Sequence, residues 1–194
     1  MGMARFTLVG DACVRIEYAP EGAKFVDAPS LTAVRRIGEP VVVEDRAGVE
    51  PVRLETSRLT LTFRPGGAGL NAESLRVEVR GPFAPGGPAS ASVVWSPGVG
   101  QRGNLGGTLS TLDGLKRAAP LPDGLLSRDG WFLIDDSRGH LLVDGWVKAR
   151  EQAVGCGGTD WYLLCYGAEY GAAMEAFTAF AGRVPMPRRY LLGS

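Results

Sequence analysis

A chain of 194 residues is long enough for one large domain or two small ones, hiding about 70% of the surface its unfolded form exposes. Its 21 Lys and Arg are balanced by 21 Asp and Glu, which argues against a nucleic-acid binder, because such a protein needs a basic excess to displace counterions from phosphates. The 28 glycines and 13 prolines are an excess of turn formers over the ordinary globular share, and with many short Val, Leu and Thr runs they predict an all-β chain with many turns.

The first 95 residues predict successive strands. Ala12 to Tyr18 alternates, setting Val14, Ile16 and Tyr18 against Cys13, Arg15 and Glu17. Residues 52–56 then meet 59–63, with apolar positions at 52 and 54 and at 59, 61 and 63, across a short Thr56-Ser-Arg58 link. That pattern predicts a hairpin. Leu75 to Val79 alternates in the same way. Each such strand is expected to put one face on a core and one in water.

Residues 81–90 form a Pro/Gly loop, and residues 97–130 are rich in loops. Asp-Gly recurs at 113–114, 123–124, 129–130 and 144–145, a dipeptide suited to turns with positive φ. The apolar runs 131–134, 141–143 and 161–165 suit strands buried on both faces. A helix is predicted over 169–181, with Tyr170, Ala173, Met174, Phe177 and Ala181 forming its apolar stripe. Gly182 and then Pro185 stop it. Strands first and one late helix is the order of a two-sheet sandwich, not of alternating βαβ units.

Several signals for chemistry fail on context. Gly98-Val-Gly-Gln-Arg-Gly103 matches a dinucleotide fingerprint, but Ser96-Pro97 precedes it and a Gly-rich stretch follows, so no helix opens to hold a pyrophosphate. His140 stands alone in a turn, without the nucleophile of a catalytic relay or the cysteine pair of a zinc site. Asp135 and Asp136 are neighbours on a strand end, so they point to opposite faces and suit turn or capping roles rather than a hydrolytic pair. Cys13, Cys156 and Cys165 are odd in number and lack a C-x-x-C spacing. With no apolar run long enough to span a membrane and no secretory leader at the start, they predict a cytoplasmic location.

The glycine-rich region carries more. Asp129 and Trp131 put a carboxylate and an indole close together, a combination that suits sugar recognition through hydroxyl hydrogen bonds and ring stacking. The same residues also suit a plain Asp-Gly turn and a core tryptophan, and the residue types alone leave both readings open.

The blocks Val14-Arg-Ile-Glu-Tyr18, Asn104-Leu-Gly-Gly-Thr108, Leu112-Asp-Gly114, Gly124-Leu-Leu-Ser-Arg-Asp-Gly-Trp131, Ile134-Asp-Asp-Ser137 and Tyr162-Leu-Leu-Cys-Tyr-Gly167 precede a Val184-Pro-Met-Pro-Arg-Arg-Tyr-Leu-Leu-Gly193 ending. In that order they resemble the N-terminal domain of family 31 glycoside hydrolases, the α-glucosidase and α-xylosidase group, strongly over 103–193 and loosely over 4–95.

The resemblance implies a mainly β fold, an antiparallel β-sandwich of the galactose-mutarotase type with one C-terminal helix. The sandwich would occupy residues 1–182, and 183–194 would lead into a catalytic (β/α)8 barrel beyond this chain. The parent would hydrolyse α-glycosidic bonds with retention, using two barrel aspartates. This chain alone would then be inactive, with no catalytic residue and no metal or other cofactor. Its partners would be the barrel and an α-linked oligosaccharide, with neither nucleic acid nor membrane. Arg128 and Asp129 match a pair that helps bind the sugar at the rim of the family's active site, and Trp131 is a further candidate for that pocket. A free-standing carbohydrate-binding module and a purely structural sandwich are the competing expectations.

Overall fold

The computed structural model describes residues 2–84, 86–108, 118–150, 158–184 and 186. Among them, the strands in chain order are β1 (Gly2–Leu8), β2 (Cys13–Ala19), β3 (Pro40–Asp45), β4 (Val52–Glu55), β5 (Leu59–Phe63), β6 (Leu75–Arg80), β7 (Ser92–Trp95), β8 (Trp131–Asp135), β9 (Leu141–Val143), β10 (Trp146–Lys148) and β11 (Thr159–Cys165). The helix α1 (Tyr170–Ala181) follows them.

The strands form a five-stranded sheet, β3-β1-β2-β11-β8, a four-stranded sheet, β4-β5-β6-β7, and the ribbon β10-β9. Every pairing is antiparallel. The two larger sheets share one core: Phe6, Val14, Ile16 and Leu163 of the first pack with Leu59, Leu61, Phe63 and Val77 of the second. The rings of Phe6 and Phe63 meet across it at 5.1 Å. Each fully buried side chain of this size contributes about 1.5–3 kcal/mol, so the interface between the sheets is a large source of stability. The expected β-sandwich with a late helix is the observed architecture.

The 52–63 hairpin forms in the predicted register, Val52 opposite Phe63 and Glu55 opposite Thr60. Its link is closed by Thr56, whose Oγ1 accepts from the amides of Arg58 and Leu59 at 3.2 and 3.1 Å. A second turn, Asp144-Gly145, joins β9 to β10 with φ of 53° and 78°, the positive pair that such a dipeptide supplies.

Two expectations change. The first concerns β2, whose polar face does not reach water: Arg15 is 5% and Glu17 2% exposed. The segment between β2 and β3 lies over that face, and ion pairs replace the lost hydration. The second concerns α1, which buries Ala173, Ala176 and Phe180, while Met174 is 45% exposed. The buried set is rotated from the predicted stripe because Phe180 stacks on Tyr162 of β11, with ring centroids 4.4 Å apart and planes 17° from parallel. The two alanines let the helix come close enough for that stack.

Of the runs expected to be buried on both faces, β11 is, whereas β9 is half-buried throughout. Gly182 ends α1 at φ +85°, its amide bonding to the Thr178 carbonyl. Val184 and Met186 are 93% and 90% exposed. Pro185 and 187–194 of the expected linker lie outside the described residues, as do Leu112-Asp-Gly114 and Cys156.

Candidate functional site

The glycine-rich stretches on either side of the undescribed 109–117 segment pair with each other. Asn104 and Ser127 form an isolated antiparallel bridge, flanked by Leu105 N–H to Leu126 O at 2.9 Å and Arg128 N–H to Gly103 O at 2.8 Å. The Asn104 amide locks the pair together. Its Nδ2 donates to Gln101 Oε1 and to the Gly124 carbonyl, each at 2.9 Å. Its Oδ1 accepts from the amides of Gly106 and Gly124, each at 2.8 Å. Both hydrogens and both lone pairs of the side chain are thereby used.

Asp129 sits at the end of this loop pair. Its Oδ2 accepts from the amides of Arg102 and Gly103 at 2.8 and 2.9 Å, and its own amide donates to Ser127 Oγ at 3.1 Å. Partial burial pulls its pKa up, but the Gly103 and Arg102 amides and the Ser127 hydroxyl outweigh that and hold it below the usual carboxylate range. A half-buried carboxylate oriented by backbone amides is suited to accept a ligand hydroxyl. Arg128 beside it is exposed, held to the loop pair by its backbone.

Trp131 is not part of that arrangement. It is 3% exposed and packs in the sandwich core, 6.3 Å from the ring of Trp95. Gln101 donates its side-chain amide to the Trp131 carbonyl. The turn through Arg128–Gly130 re-aims the chain before β8, so the indole points inward and leaves no ring face for a sugar. Gly130 between them needs its lack of a side chain: at φ +77°, an added Cβ would lie 2.5 Å from the Phe83 ring and 2.8 Å from Gly167 Cα.

The weaker signals resolve simply. The Gly98–Gly103 stretch lies in the connection after β7, and no helix follows it among the described residues. His140 is exposed, its carbonyl accepting from the Leu31 amide. Asp135 caps the Ser137 amide at 2.9 Å, while Asp136 is fully buried. Cys13 and Cys165 are both buried and free, and burial pushes both thiols up. Among the described residues, no group of three or more His, Cys, Asp or Glu side chains is placed to hold a metal. No described helix is long and apolar enough to cross a membrane.

Sequence reasoning missed two features. One is an ion network on the outer face of the five-stranded sheet. Arg5 holds Glu17 through Nε and Nη2 at 2.6 and 2.7 Å and Asp27 at 2.5 Å. Arg15 holds both oxygens of Asp160 at 2.8 and 3.0 Å, and Arg150 bridges Asp160 at 2.9 Å to Asp136 at 3.0 Å. Burial pulls Asp160 upward, yet Arg15, Arg36 and Arg150 together hold it below its ordinary range. Arg15 and Glu17 occupy the polar phase of β2, which read as half-solvated. The only signal was clustering of Arg and acids in that phase. The second feature is Trp146, 73% exposed at the start of β10, which follows an Asp-Gly turn that was legible.

No family model and no curated protein matches this chain.

Proposed function

We propose that this chain is the non-catalytic β-sandwich of a retaining α-glycosidase, packing on a catalytic barrel and lending the 101–108 and 124–130 loop pair to a sugar pocket. The observation that carries the reading is the half-buried carboxylate of Asp129, held ionised and oriented through Oδ2 by two backbone amides at the end of the loop pair. The exposed guanidinium of Arg128 stands next to it in the chain. Asn104 and the glycines of the resembling motif do structural work around that carboxylate, which accounts for why these residue types occur together.

The test is hydrolysis of an aryl α-glucoside and of malto- and isomalto-oligosaccharides by the polypeptide of the complete reading frame. Activity is expected there and not in this chain alone. Asp129→Ala should lower kcat/KM by the worth of one charged hydrogen bond, about 1.5–3 kcal/mol, or on the order of 10- to 100-fold. Unchanged kinetics would remove Asp129 from the pocket, and absence of hydrolysis would remove the glycosidase reading.

The exposed Trp146 favours a second reading, a free-standing carbohydrate-binding module, since a solvent-facing indole can stack on a sugar ring. Micromolar binding of oligosaccharides by this chain, lost in Trp146→Ala, would put that reading first.

A further inference from the structure

The outer face of the five-stranded sheet carries a cleft of about 90 Å³, lined chiefly by Arg5, Arg15, Arg35, Arg36, Asp27 and Tyr162. That is room for several waters, and so for one small oxyanion such as a phosphate or a carboxylate group. Four guanidiniums line it against a single carboxylate. Behind them lie Glu17, Asp136 and Asp160, together with Arg150. Five arginines therefore meet four acids, and the unmatched charge is Arg35, which is exposed and has no ion pair among the described residues. Glu39 is close in sequence but does not line the cleft.

The hydrogen-bonding capacity is not exhausted either. Arg5 uses Nε and Nη2, and so does Arg15. The Nη1 of each has no acceptor among the described residues. Arg36 is held by the Ala28 carbonyl at 2.9 and 3.2 Å and by the Tyr162 hydroxyl. Its nearest carboxylates, Asp160 and Asp136, are at 3.7 and 3.8 Å, too far for hydrogen bonds. One carboxylate already occupies the mouth: Asp27, whose side chain is 72% exposed, reaches Arg5 Nη2.

We propose that this cleft is a binding site for a small oxyanion, the phosphate or carboxylate group of a soluble small molecule. The ligand replaces Asp27 on Arg5 and is paired by Arg35, while Arg15 and Arg36, fixed by their carboxylate and carbonyl partners, form the floor. Guanidinium forks suit both oxyanions, because they present parallel N–H donors to paired oxygens. Asp27 acts as a tethered competitor, so the site binds weakly when Asp27 is present and more tightly when it is neutralised.

The experiment is an NMR titration of the ¹⁵N-labelled chain, following arginine Nε–Hε resonances. Sodium phosphate and sodium acetate are added in separate arms, with sodium chloride at matched ionic strength as control. Saturable shifts at the Arg5 and Arg15 resonances are expected with phosphate, acetate or both, and the arm that saturates names the oxyanion. Asp27→Asn should tighten the saturating arm roughly three- to fivefold, and Arg35→Gln should weaken it by a similar factor, the worth of one exposed ion pair. Both side chains are exposed, so both variants keep the fold, which the unchanged remaining resonances report. Shifts that merely follow ionic strength, or variant curves that superimpose on the wild type, would overturn the proposal.

Discussion

Replacing Asp160 by Asn tests whether the buried ion network carries stability. The substitution keeps the shape of the side chain but removes its charge and turns one acceptor into a donor. Asp160 is 3% exposed and accepts from Arg15 Nε and Nη2 and from Arg150 Nη1, all between 2.8 and 3.0 Å. Arg15 is 5% exposed and cannot turn to water. Breaking such a pair from one side costs about 3–5 kcal/mol, because the remaining charge stays buried. Glu17 still stands 2.8 Å from Arg15 Nη2, which places the expected loss at the lower end, about 3 kcal/mol. With a urea slope of about 2 kcal/mol per molar for a chain of this size, the unfolding midpoint should fall by roughly 1.5 M. A double-mutant cycle with Arg15→Met isolates the pair. In that background the cost of Asp160→Asn should shrink by about 1.5–3 kcal/mol, the worth of charged hydrogen bonds. A loss under about 1 kcal/mol, the range of exposed pairs, or an additive cycle, would refute the account of β2 as a strand buried on both faces.

Asp45 is 1% exposed; its oxygens accept from the amides of Gly66, Gly67 and Gly69 at 2.8–2.9 Å and from the Tyr18 hydroxyl at 3.0 Å. Burial raises its pKa, but those donors hold it below the ordinary value, so its contribution is complete above the unfolded pKa of about 3.9 and is lost as pH falls through the lower folded value. Asp45→Asn should cost about 1–3 kcal/mol at pH 7, and urea melts from pH 6 to pH 2 should show the gap to wild type closing in the acid range; a constant gap would contradict the clamp. On α1, Phe180→Ala should cost about 3–5 kcal/mol in thermal or urea unfolding because it empties the stack on Tyr162, whereas Met174→Ala should stay within about 0.5 kcal/mol; the reverse order would restore the stripe expected from the sequence.

Local features were legible because their causes are local. The hairpin between β4 and β5 needs only alternation and a short link, and Gly182 needs only a helix to end. The face of α1 was misjudged because a stripe through Tyr170, Ala173, Met174 and Phe177 is as periodic as one through Ala173, Ala176 and Phe180. Periodicity cannot say which of two adjacent stripes meets a ring on another element. The pairing of β2 with β11, which sets Arg15 opposite Tyr162, joins residues well over a hundred positions apart and leaves no trace in either segment alone. That pairing nevertheless makes the five-stranded sheet.

The same limit governed the candidate sites. Asp129 was singled out by its place in the resembling Arg-Asp-Gly-Trp block, and the amides that hold its carboxylate come from Arg102 and Gly103, more than twenty positions away. Trp131 was grouped with it by proximity along the chain, although the two-residue step into β8 is enough to turn the indole into the core. The arginine cleft was invisible in the sequence. Arg5, Arg15, Arg36 and Tyr162 come from β1, β2, the segment before β3, and β11, and each alone reads as an ordinary surface or core residue. Only the antiparallel order β1-β2-β11 stacks them on one face, where the covering segment removes water and makes every charge depend on its partners. An acid such as Asp27, exposed yet bound to Arg5, is then the one member of the network free to leave, and this is what makes the cleft a place for an exchangeable anion.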